Sequence, residues 1–429
     1  MNIGAHYTNK NCEFTVWAPN HDKVSLLLTE KNESIAMQKA RGGYWKLRVE
    51  GIKPATKYLY QIANQAPKPD PASHYQPEGV FGSSAVVDHE AFRWKDSDWQ
   101  GIPLEELVFY ELHVGTFTRE GNFKAISERL GELAELGVNA VELMPVTQFS
   151  GGRNWGYDSV FPYAVHNTYG TPDDLKGLVE CCHVNGLAMF LDIIYNHVGP
   201  EGAVLKDFGP YFRENRKTPW GPSLNFDGPD CAEVRRFFFE NALHWFKNYH
   251  VDGVRLDAVH AIMDTSQKHF LKELSETVDH YSEAAGRKVY LVAETNQNDP
   301  VVVRSRRSGG YGLDAQWLDD FHHALHVLLT KEKKGYYMDY GGLSDLVASL
   351  NEGYIYTGQF SRFWQANRGH PPTGVPPCRF VVFTQNHDQT GNRAFGERLI
   401  TLAGQEAAKL AATLVAFSPY VSMNAYVFL

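Results

Sequence analysis

The spacing of hydrophobic positions changes near residue 90 of the chain. Before that point, short runs rich in β-branched and aromatic residues alternate with Pro, Gly and Asn, and no helical period is visible. The runs that predict strands lie at residues 12–17, 23–28, 44–49 and 58–64. We therefore predict a separate N-terminal β-sandwich domain over residues 1–90.

Beyond residue 104, apolar runs of strand length alternate with amphipathic helical segments. Predicted helices lie at residues 122–136, 171–185, 234–249 and 266–281, and predicted strands at 108–112, 138–143, 187–194, 253–257, 289–293, 313–318 and 380–384. This alternation predicts an α/β domain over residues 91–429 with a parallel sheet, either open and doubly wound or closed into a (β/α)8 TIM barrel. No glycine-rich GxGxxG follows the first strand, which argues against a dinucleotide-binding sheet.

Composition narrows the class of protein without identifying it. The 429 residues carry a formal charge of −9, which argues weakly against nucleic acid or an acidic membrane surface as a partner. Five cysteines, an odd number without CxxC spacing, fit reduced thiols in a cytosol better than disulfides or a zinc site. Because neither a signal-like N-terminus nor an apolar run of membrane-spanning length is visible, we expect a cytoplasmic protein without membrane partners.

Polar residues follow the ends of five predicted strands. One such residue usually has only a structural role, as a hydrogen-bond partner for the backbone at the end of the strand. Five strand ends with Asp, Glu, His or Arg are hard to explain in that way. Because the carboxyl ends of parallel barrel strands share one rim, we expect these side chains to converge on one pocket. The residues, in chain order, are His113, Asp192 with Asn196 and His197 nearby, Arg255 with Asp257, Glu294, and His387 with Asp388.

Several carboxylates with basic residues among them suit the hydrolysis of glycosides. Cleavage of a glycosidic bond requires a protonated carboxylic acid at the leaving oxygen and a second carboxylate at the anomeric carbon. Arg255 lies two residues before Asp257 and so points to the same face of the strand, where it would keep that carboxylate ionised. The alternative is metal-assisted hydrolysis, with a divalent ion held by Asp192, His197, Asp257, Glu294 and His387.

Four segments resemble, in order, the signature regions of the α-amylase family of glycoside hydrolases. They are Asp192-Ile-Ile-Tyr-Asn196-His197, Gly253-Val-Arg255-Leu-Asp257-Ala-Val-His260, Ala293-Glu294 and Asn386-His387-Asp388. The resemblance implies a TIM barrel and a retaining mechanism, with Asp257 as nucleophile, Glu294 as general acid/base and Asp388 as a group that stabilises the transition state. It also implies supporting or substrate-binding roles for Tyr157, Asp192, His197, Arg255 and His387. We expect no cofactor and no required metal, although Asn196 occupies a position that some amylases use for calcium.

Further segments resemble one group within that family, the malto-oligosyltrehalose trehalohydrolases. They include Trp155-Gly-Tyr-Asp158, Asn225-Phe-Asp-Gly-Pro229 and Asp319-Asp-Phe-His-His-Ala-Leu-His326. The resemblance implies hydrolysis of the α-1,4 bond next to the terminal trehalose of malto-oligosyl trehalose, and an immunoglobulin-like N-terminal sandwich of the kind that accompanies glycan enzymes. It makes His260, Asp320 and His322 candidates for the leaving-group side, although Asp320 and His322 could equally begin a helix. The alternatives are a branching or maltogenic enzyme, and a truncated glucan-binding protein without activity.

Two features depart from that resemblance. Leu318 stands where the related sequences usually have a polar Asn, so we expect an altered trehalose side of the cleft. After about residue 418, the sequence lacks the eighth strand with a Met-Gly-Glu-Glu type ending and the C-terminal β domain that the family would have. We therefore expect a truncated barrel without a regular eighth strand, with an exposed sheet edge and marginal stability.

Overall fold

Two four-stranded antiparallel sheets form the N-terminal part of the structure, a computed structural model that describes residues 3–426. Their strands are β1 Gly4–Thr8, β2 Asn11–Trp17, β3 Val24–Leu28, β4 Glu33–Ala36, β5 Gln38–Lys39, β6 Tyr44–Glu50, β7 Lys57–Ile62 and β8 Ser84–Ala85. One sheet has the order β1-β2-β6-β5 and the other β4-β3-β7-β8. The ring of Tyr58 meets Phe14 of the opposite sheet with centroids 4.9 Å apart. The predicted β-sandwich is thus confirmed, while its boundary at residue 90 stays a prediction.

Eight parallel strands close into a barrel in the second part of the chain. The strands after residue 100 are β9 Val108–Leu112, β10 Ala140–Leu143, β11 Thr147–Gln148, β12 Phe161–Val165, β13 Ala188–Ile193, β14 Phe212–Thr218, β15 Gly221–Leu224, β16 Gly253–Leu256, β17 Tyr290–Ala293, β18 Ala315–Trp317, β19 Phe360–Ser361, β20 Ala366–Asn367, β21 Phe380–Phe383 and β22 Val421–Tyr426. The barrel order is β9-β10-β13-β16-β17-β18-β21-β22, and β22 pairs back with β9. All seven predicted strands are present. The sheet is closed, so the prediction of a TIM barrel is confirmed and the alternative of an open, doubly wound sheet is excluded.

The expectation that a regular eighth strand is missing is wrong. Strand β22 pairs in parallel with β21, where Val421 lies opposite Val381, and with β9, where Ser422 lies opposite Val108. Backbone hydrogen bonds make these pairs, so no particular signature sequence is needed. The strand needs only apolar side chains on its buried face, and Val421 and Met423 supply them. Since β22 pairs on both sides, the barrel has no exposed edge there.

Twelve helices connect and cover the strands described in residues 3–426. They are α1 Val114–Phe117, α2 Phe123–Ser127, α3 Leu130–Glu135, α4 Pro172–Val184, α5 Leu205–Phe208, α6 Cys231–Tyr249, α7 Phe270–Ala285, α8 Asp319–Thr330, α9 Leu343–Glu352, α10 His387–Gly391, α11 Leu399–Ala403 and α12 Gln405–Ala416. Helix α4 begins as predicted, because Thr171 and Asp174 form a reciprocal capping box. The single helix predicted at 122–136 is two helices, α2 and α3, separated by Glu128 and Arg129.

The sandwich packs directly against the barrel. The Tyr44 hydroxyl donates a hydrogen bond to Glu233 of α6, and the Lys68 ammonium lies 2.8 Å from the Asp207 carboxylate. Trp17 packs edge-on against Tyr211 with ring centroids 5.1 Å apart. Polar and aromatic contacts together therefore hold the two parts in one orientation.

The lengths and apolar character of the helices can be compared with what crossing a membrane requires. Within residues 3–426, no helix combines the length and the apolar character that crossing a bilayer would require. The cytoplasmic location and the absence of nucleic-acid partners stay predictions.

Truncation of the Met423 side chain tests how much the closing strand contributes to stability. Met423 is fully buried in the barrel, so Met423→Ala should lower the free energy of unfolding by about 2–5 kcal/mol. Urea denaturation followed by tryptophan fluorescence measures this. As a control, Phe417→Ala removes a side chain that is 87% exposed and should change the free energy by no more than about 0.5 kcal/mol. Equal effects of the two substitutions would contradict the closed barrel.

Candidate active site

A cleft of about 1000 Å³ lies at the carboxyl ends of the barrel strands. Asp257 directly follows β16, Glu294 directly follows β17, and Asp388 lies in α10 beyond β21. All three carboxyl groups line this one cleft. The expected convergence on one pocket is therefore present for these three groups and for His197 and His387. His113, Asp192, Asn196 and Arg255 do not line the cleft.

The strand ladder places Asp257 and Glu294 on neighbouring strands. The Asp257 amide donates to the Ile193 carbonyl and the Glu294 amide donates to the Leu256 carbonyl, so the pairing continues one residue past each strand. Ala258 then adopts a left-handed conformation with φ of 40°. This turn directs the Ala258 amide to the Glu294 carboxyl group at 2.7 Å. Strained backbone of this kind is typical of residues that position a functional group.

Arg255 joins the carboxylates of three neighbouring strands. Its side chain is completely buried, and its Nη1 donates to Asp192 and to Asp257, both at 2.8 Å. Its Nη2 lies 3.6 Å from Glu294, and the guanidinium lies 4.3 Å from the centre of the Trp317 ring. The side chains meet because Arg255 lies opposite Asp192 in the register of β13 and β16 and on the same face as Asp257.

The two central carboxyl groups have different environments. Burial raises the pKa of Glu294 to about 8, and the negative charge of Asp257 adds to this effect, although Arg255 opposes it. Glu294 is therefore protonated at neutral pH. Asp257 accepts hydrogen bonds on both oxygens, from Arg255 at 2.8 Å and from the Asn196 amide at 2.8 Å. Such a difference between two carboxyl groups is what separates an acid from a nucleophile.

A chain of hydrogen bonds behind the cleft orients His387 and Tyr157. His387 Nδ1 lies 2.6 Å from the Glu111 carboxylate, and its Nε2 lies 2.8 Å from the Tyr157 hydroxyl. Tyr157 in turn donates to Asp192 at 2.6 Å. Burial alone would lower the pKa of His387, but the charge of Glu111 and that of Asp388 raise it to about 9. His387 is thus a cation that donates from both ring nitrogens at neutral pH.

Glu111 was not predicted as a site residue. It lies inside strand β9, where its carboxylate also accepts the backbone amide of His387 at 2.9 Å. A glutamate within an otherwise apolar strand was the only signal in the sequence. That signal does not identify a partner, because the two residues are 276 positions apart.

Tyr157 and His197 form one wall of the cleft with Trp220. Gly156 precedes Tyr157 with φ of 102°, and a Cβ atom there would lie 2.2 Å from the Pro145 carbonyl oxygen. Only glycine therefore permits this turn. His197 Nε2 lies 2.9 Å from the Tyr157 carbonyl, and the Trp220 ring stacks on His197 with centroids 5.3 Å apart. These rings give the cleft an apolar face.

Four predicted substrate-binding residues do not line the cleft: Asp192 and Arg255, which form a buried ion pair, and Asp320 and His322. Asp320 is completely buried and accepts hydrogen bonds from the Asn298 amide and the Tyr340 hydroxyl, each at 2.6 Å. His322 lies 2.6 Å from the Thr384 carbonyl through Nδ1. Neither residue lines the cleft, and both belong to the first turns of α8. A helix start with buried hydrogen-bond partners explains both, so direct contact with a substrate is not supported.

His260 faces the cleft, whereas Leu318 does not. His260 lines the cleft, and burial lowers its pKa, so the imidazole is neutral. Leu318 is only 1% exposed and packs in a hydrophobic cluster with Phe321 and Tyr337. The expected influence of Leu318 on the cleft is therefore not direct, because its side chain does not face the cavity.

Several residues of the cleft come from loops that sequence patterns did not single out. They follow β17 or surround the short hairpin of β19 and β20, where no period exists to identify them. Polar side chains and one exposed tryptophan dominate this set. The residues are Asn296, Gln297, Asp299, Trp364, Arg368 and His370.

The metal-binding alternative is not supported by the arrangement of its five candidate ligands. In the described part of the chain, they form no group whose ligand atoms lie close enough to share one ion. The Arg255 guanidinium stands between Asp192, Asp257 and Glu294 instead. The Asn196 amide is also engaged, because it donates to the carbonyl and the carboxylate of Asp257.

Comparison with known proteins finds relatives for both parts of the chain. Residues 91–220 match the family model "Alpha amylase, catalytic domain", and residues 2–75 match "Carbohydrate-binding module 48 (Isoamylase N-terminal domain)". A Salmonella typhimurium crystal structure assigned to the alpha amylases superposes with a TM-score of 0.92 at 40% identity, over 99% of this chain and 72% of that one.

Two relatives identify the group. Malto-oligosyltrehalose trehalohydrolase from Saccharolobus solfataricus is 44% identical over 99% of this chain and 74% of its own length. The enzyme of the same name from Arthrobacter ramosus is 43% identical over 96% of this chain and 72% of its own length. The chain therefore belongs to the α-amylase family of glycoside hydrolases and, within it, to the malto-oligosyltrehalose trehalohydrolases.

Proposed function

We propose that this chain hydrolyses the α-1,4-glucosidic bond next to the terminal trehalose unit of malto-oligosyl trehalose, releasing trehalose and a shortened maltodextrin. The observation that carries the proposal is the 44% identity to a trehalohydrolase over 99% of the chain. Its support is a cleft lined by Asp257, Glu294 and Asp388 together. Membership of the family is enough to imply a glucan substrate. Cleavage next to the terminal trehalose unit is the more specific part of the proposal.

The first chemical step breaks the glycosidic bond. Glu294, protonated because burial raises its pKa to about 8, gives its proton to the glycosidic oxygen as the bond to the anomeric carbon breaks. Asp257 attacks that carbon from the opposite face and forms a glycosyl ester. The hydrogen bonds from Arg255 and Asn196 hold the Asp257 carboxylate in one orientation for this attack.

The second step restores the enzyme. Glu294, now ionised, takes a proton from a water molecule, which attacks the anomeric carbon and releases Asp257. Two displacements at the same carbon retain its configuration. Arg255 contacts both carboxyl groups throughout, so it provides a fixed positive charge beside the place where negative charge moves.

The remaining residues of the cleft bind the sugar ring. Asp388 is half exposed towards the cleft and can accept hydrogen bonds from two sugar hydroxyls. His387 and His197 are placed to contact other hydroxyls, and the Tyr157 ring can stack on the apolar face of the glucosyl unit. Binding of the ring between these groups would orient the anomeric carbon towards Asp257.

Product analysis tests the substrate assignment. With malto-oligosyl trehalose as substrate, the purified chain should release trehalose as its main product, which chromatography of the digest measures. Formation of α-1,6 branch points, or of maltose without trehalose, would contradict the proposal and favour a branching or maltogenic enzyme. Binding of maltodextrin without any product would favour a glucan-binding protein instead.

Substitution of the two central carboxyl groups tests their roles. Glu294→Gln should lower kcat by roughly 10²–10⁴-fold, because no acid protonates the leaving oxygen, and Asp257→Asn should lower it at least as much. With α-maltosyl fluoride, whose leaving group needs no proton, Glu294→Gln should regain much of the bond-breaking step and Asp257→Asn should not. Asp22→Asn and Glu406→Gln, on fully exposed side chains, serve as controls. Recovery of Asp257→Asn with the fluoride would remove Asp257 from the nucleophile role.

The pH dependence of kcat/KM tests the protonation of Glu294. Because the pKa of this group is raised to about 8 and the acid form is needed, activity should persist through neutral pH. Above pH 8 it should fall by about tenfold per pH unit as Glu294 loses its proton. For α-maltosyl fluoride, kcat/KM should not show this alkaline decline. A decline that begins near the ordinary glutamate pKa, or that is equal for both substrates, would contradict the assignment.

A further inference from the structure

Three imidazoles meet where the segments on either side of strand β8 pack against helix α6. His74 and His89 lie on either side of β8, and His244 lies on α6. One ring nitrogen from each residue lies within 4.8 Å of the others. His74 and His244 are buried and His89 is half-buried, and none of the three lines the catalytic cleft.

The rings of His74 and His89 share a hydrogen bond whose length matches the spacing of two metal ligands. Nε2 of His89 lies 3.2 Å from Nδ1 of His74. Two nitrogen ligands on a tetrahedral Zn²⁺ with bonds of about 2.0–2.1 Å are separated by roughly 3.3 Å. The His244 ring is close to both, with centroids 4.5 Å from His74 and 5.4 Å from His89.

Contacts behind the rings suit metal binding as well. His244 Nε2 lies 3.1 Å from the Tyr163 carbonyl, to which it can donate, and Nδ1 accepts a hydrogen bond from the Asn248 side-chain amide at 3.0 Å. Nδ1 becomes the metal ligand when the half-exposed Asn248 side chain turns away. A backbone carbonyl on the second ring nitrogen is the usual partner that orients a metal-bound histidine. Nδ1 of His89 is buried and has no hydrogen-bond partner within residues 3–426, so the hydrogen bond of Nε2 with His74 is the only one that holds this ring among the described residues.

The charge state of the rings permits metal binding. Burial lowers the pKa of His74 and His89 well below the ordinary value and lowers that of His244 to about 3, so all three rings are neutral, which is the form that binds metals. The nearby Lys176 ammonium contributes to these shifts and opposes a second cation. Its charge is offset by Asp173, whose carboxylate lies 3.2 Å away.

We propose that His74, His89 and His244 form a site for one divalent transition-metal ion, with Zn²⁺ as the probe. Three neutral imidazoles and one water would complete a tetrahedral set of ligands. The ion would tie the segment that carries His74 and His89 to helix α6. Its role is structural: it fixes the sandwich against the barrel and takes no part in glycoside hydrolysis.

Zinc binding to the purified, untagged chain tests the site. After removal of metals with EDTA, equilibrium dialysis against Zn²⁺ should give one ion per chain, and Zn²⁺ should raise the Tm. His89→Ala should lower the Zn²⁺ affinity by on the order of a hundredfold, the contribution of about one ligand, and should abolish the rise in Tm. His89 is the preferred position because it is only half-buried, so its substitution perturbs folding less than changes at His74 or His244.

A matched control uses a histidine away from the cluster. His280, exposed on α7, should be replaceable by alanine without any change in zinc stoichiometry or in the zinc-dependent rise in Tm. Trehalose release should be equal before and after EDTA treatment, because no member of the cluster lines the cleft. Binding of much less than one Zn²⁺ per chain, or equal affinity of wild type and His89→Ala, would overturn the proposal.

Discussion

A single buried cation, Arg255, is the constraint on which the functional end of the barrel depends. It contacts the carboxyl groups of Asp192, Asp257 and Glu294, which come from three neighbouring strands. Removal of one partner from a buried ion cluster typically costs about 3–5 kcal/mol, because an uncompensated charge remains. The geometry of the proposed catalytic groups is therefore coupled to the stability of the barrel.

The same cluster creates the difference between the two central carboxyl groups. Both lie near one guanidinium, but Asp257 takes its direct hydrogen bond, whereas Glu294 is 3.6 Å from it and accepts a backbone amide. Burial raises the pKa of Glu294 to about 8, and Arg255 opposes this effect only in part, so Glu294 is protonated at neutral pH. The mechanism that we propose uses this difference, with a proton donor on one side of the bond and a nucleophile on the other.

Contacts far from the cleft determine how the two parts of the chain are held. Tyr44, Lys68 and Trp17 of the sandwich contact α6, α5 and Tyr211 in the loop after α5, respectively. The three histidines also join the two parts, because His74 and His89 flank β8 and His244 lies on α6. The proposed metal would add a further tie at this interface, while the chemistry of the cleft would be unaffected.

The sequence by itself determined the sandwich, the alternation of parallel strands and helices, and the three carboxyl groups of the cleft. Hydrophobic period and capping are local properties, and parallel strands place their carboxyl ends on one rim, so Asp257, Glu294 and Asp388 could be expected together. Only the tertiary structure decided the closure by β22, because backbone pairing with β9 involves residues more than 300 positions away. It also decided that Glu111 holds His387, that Asp320 and His322 lie behind the cleft, and which loops line it. These contacts join side chains that are far apart in the sequence, and their positions follow no hydrophobic repeat. No local pattern therefore predicts them.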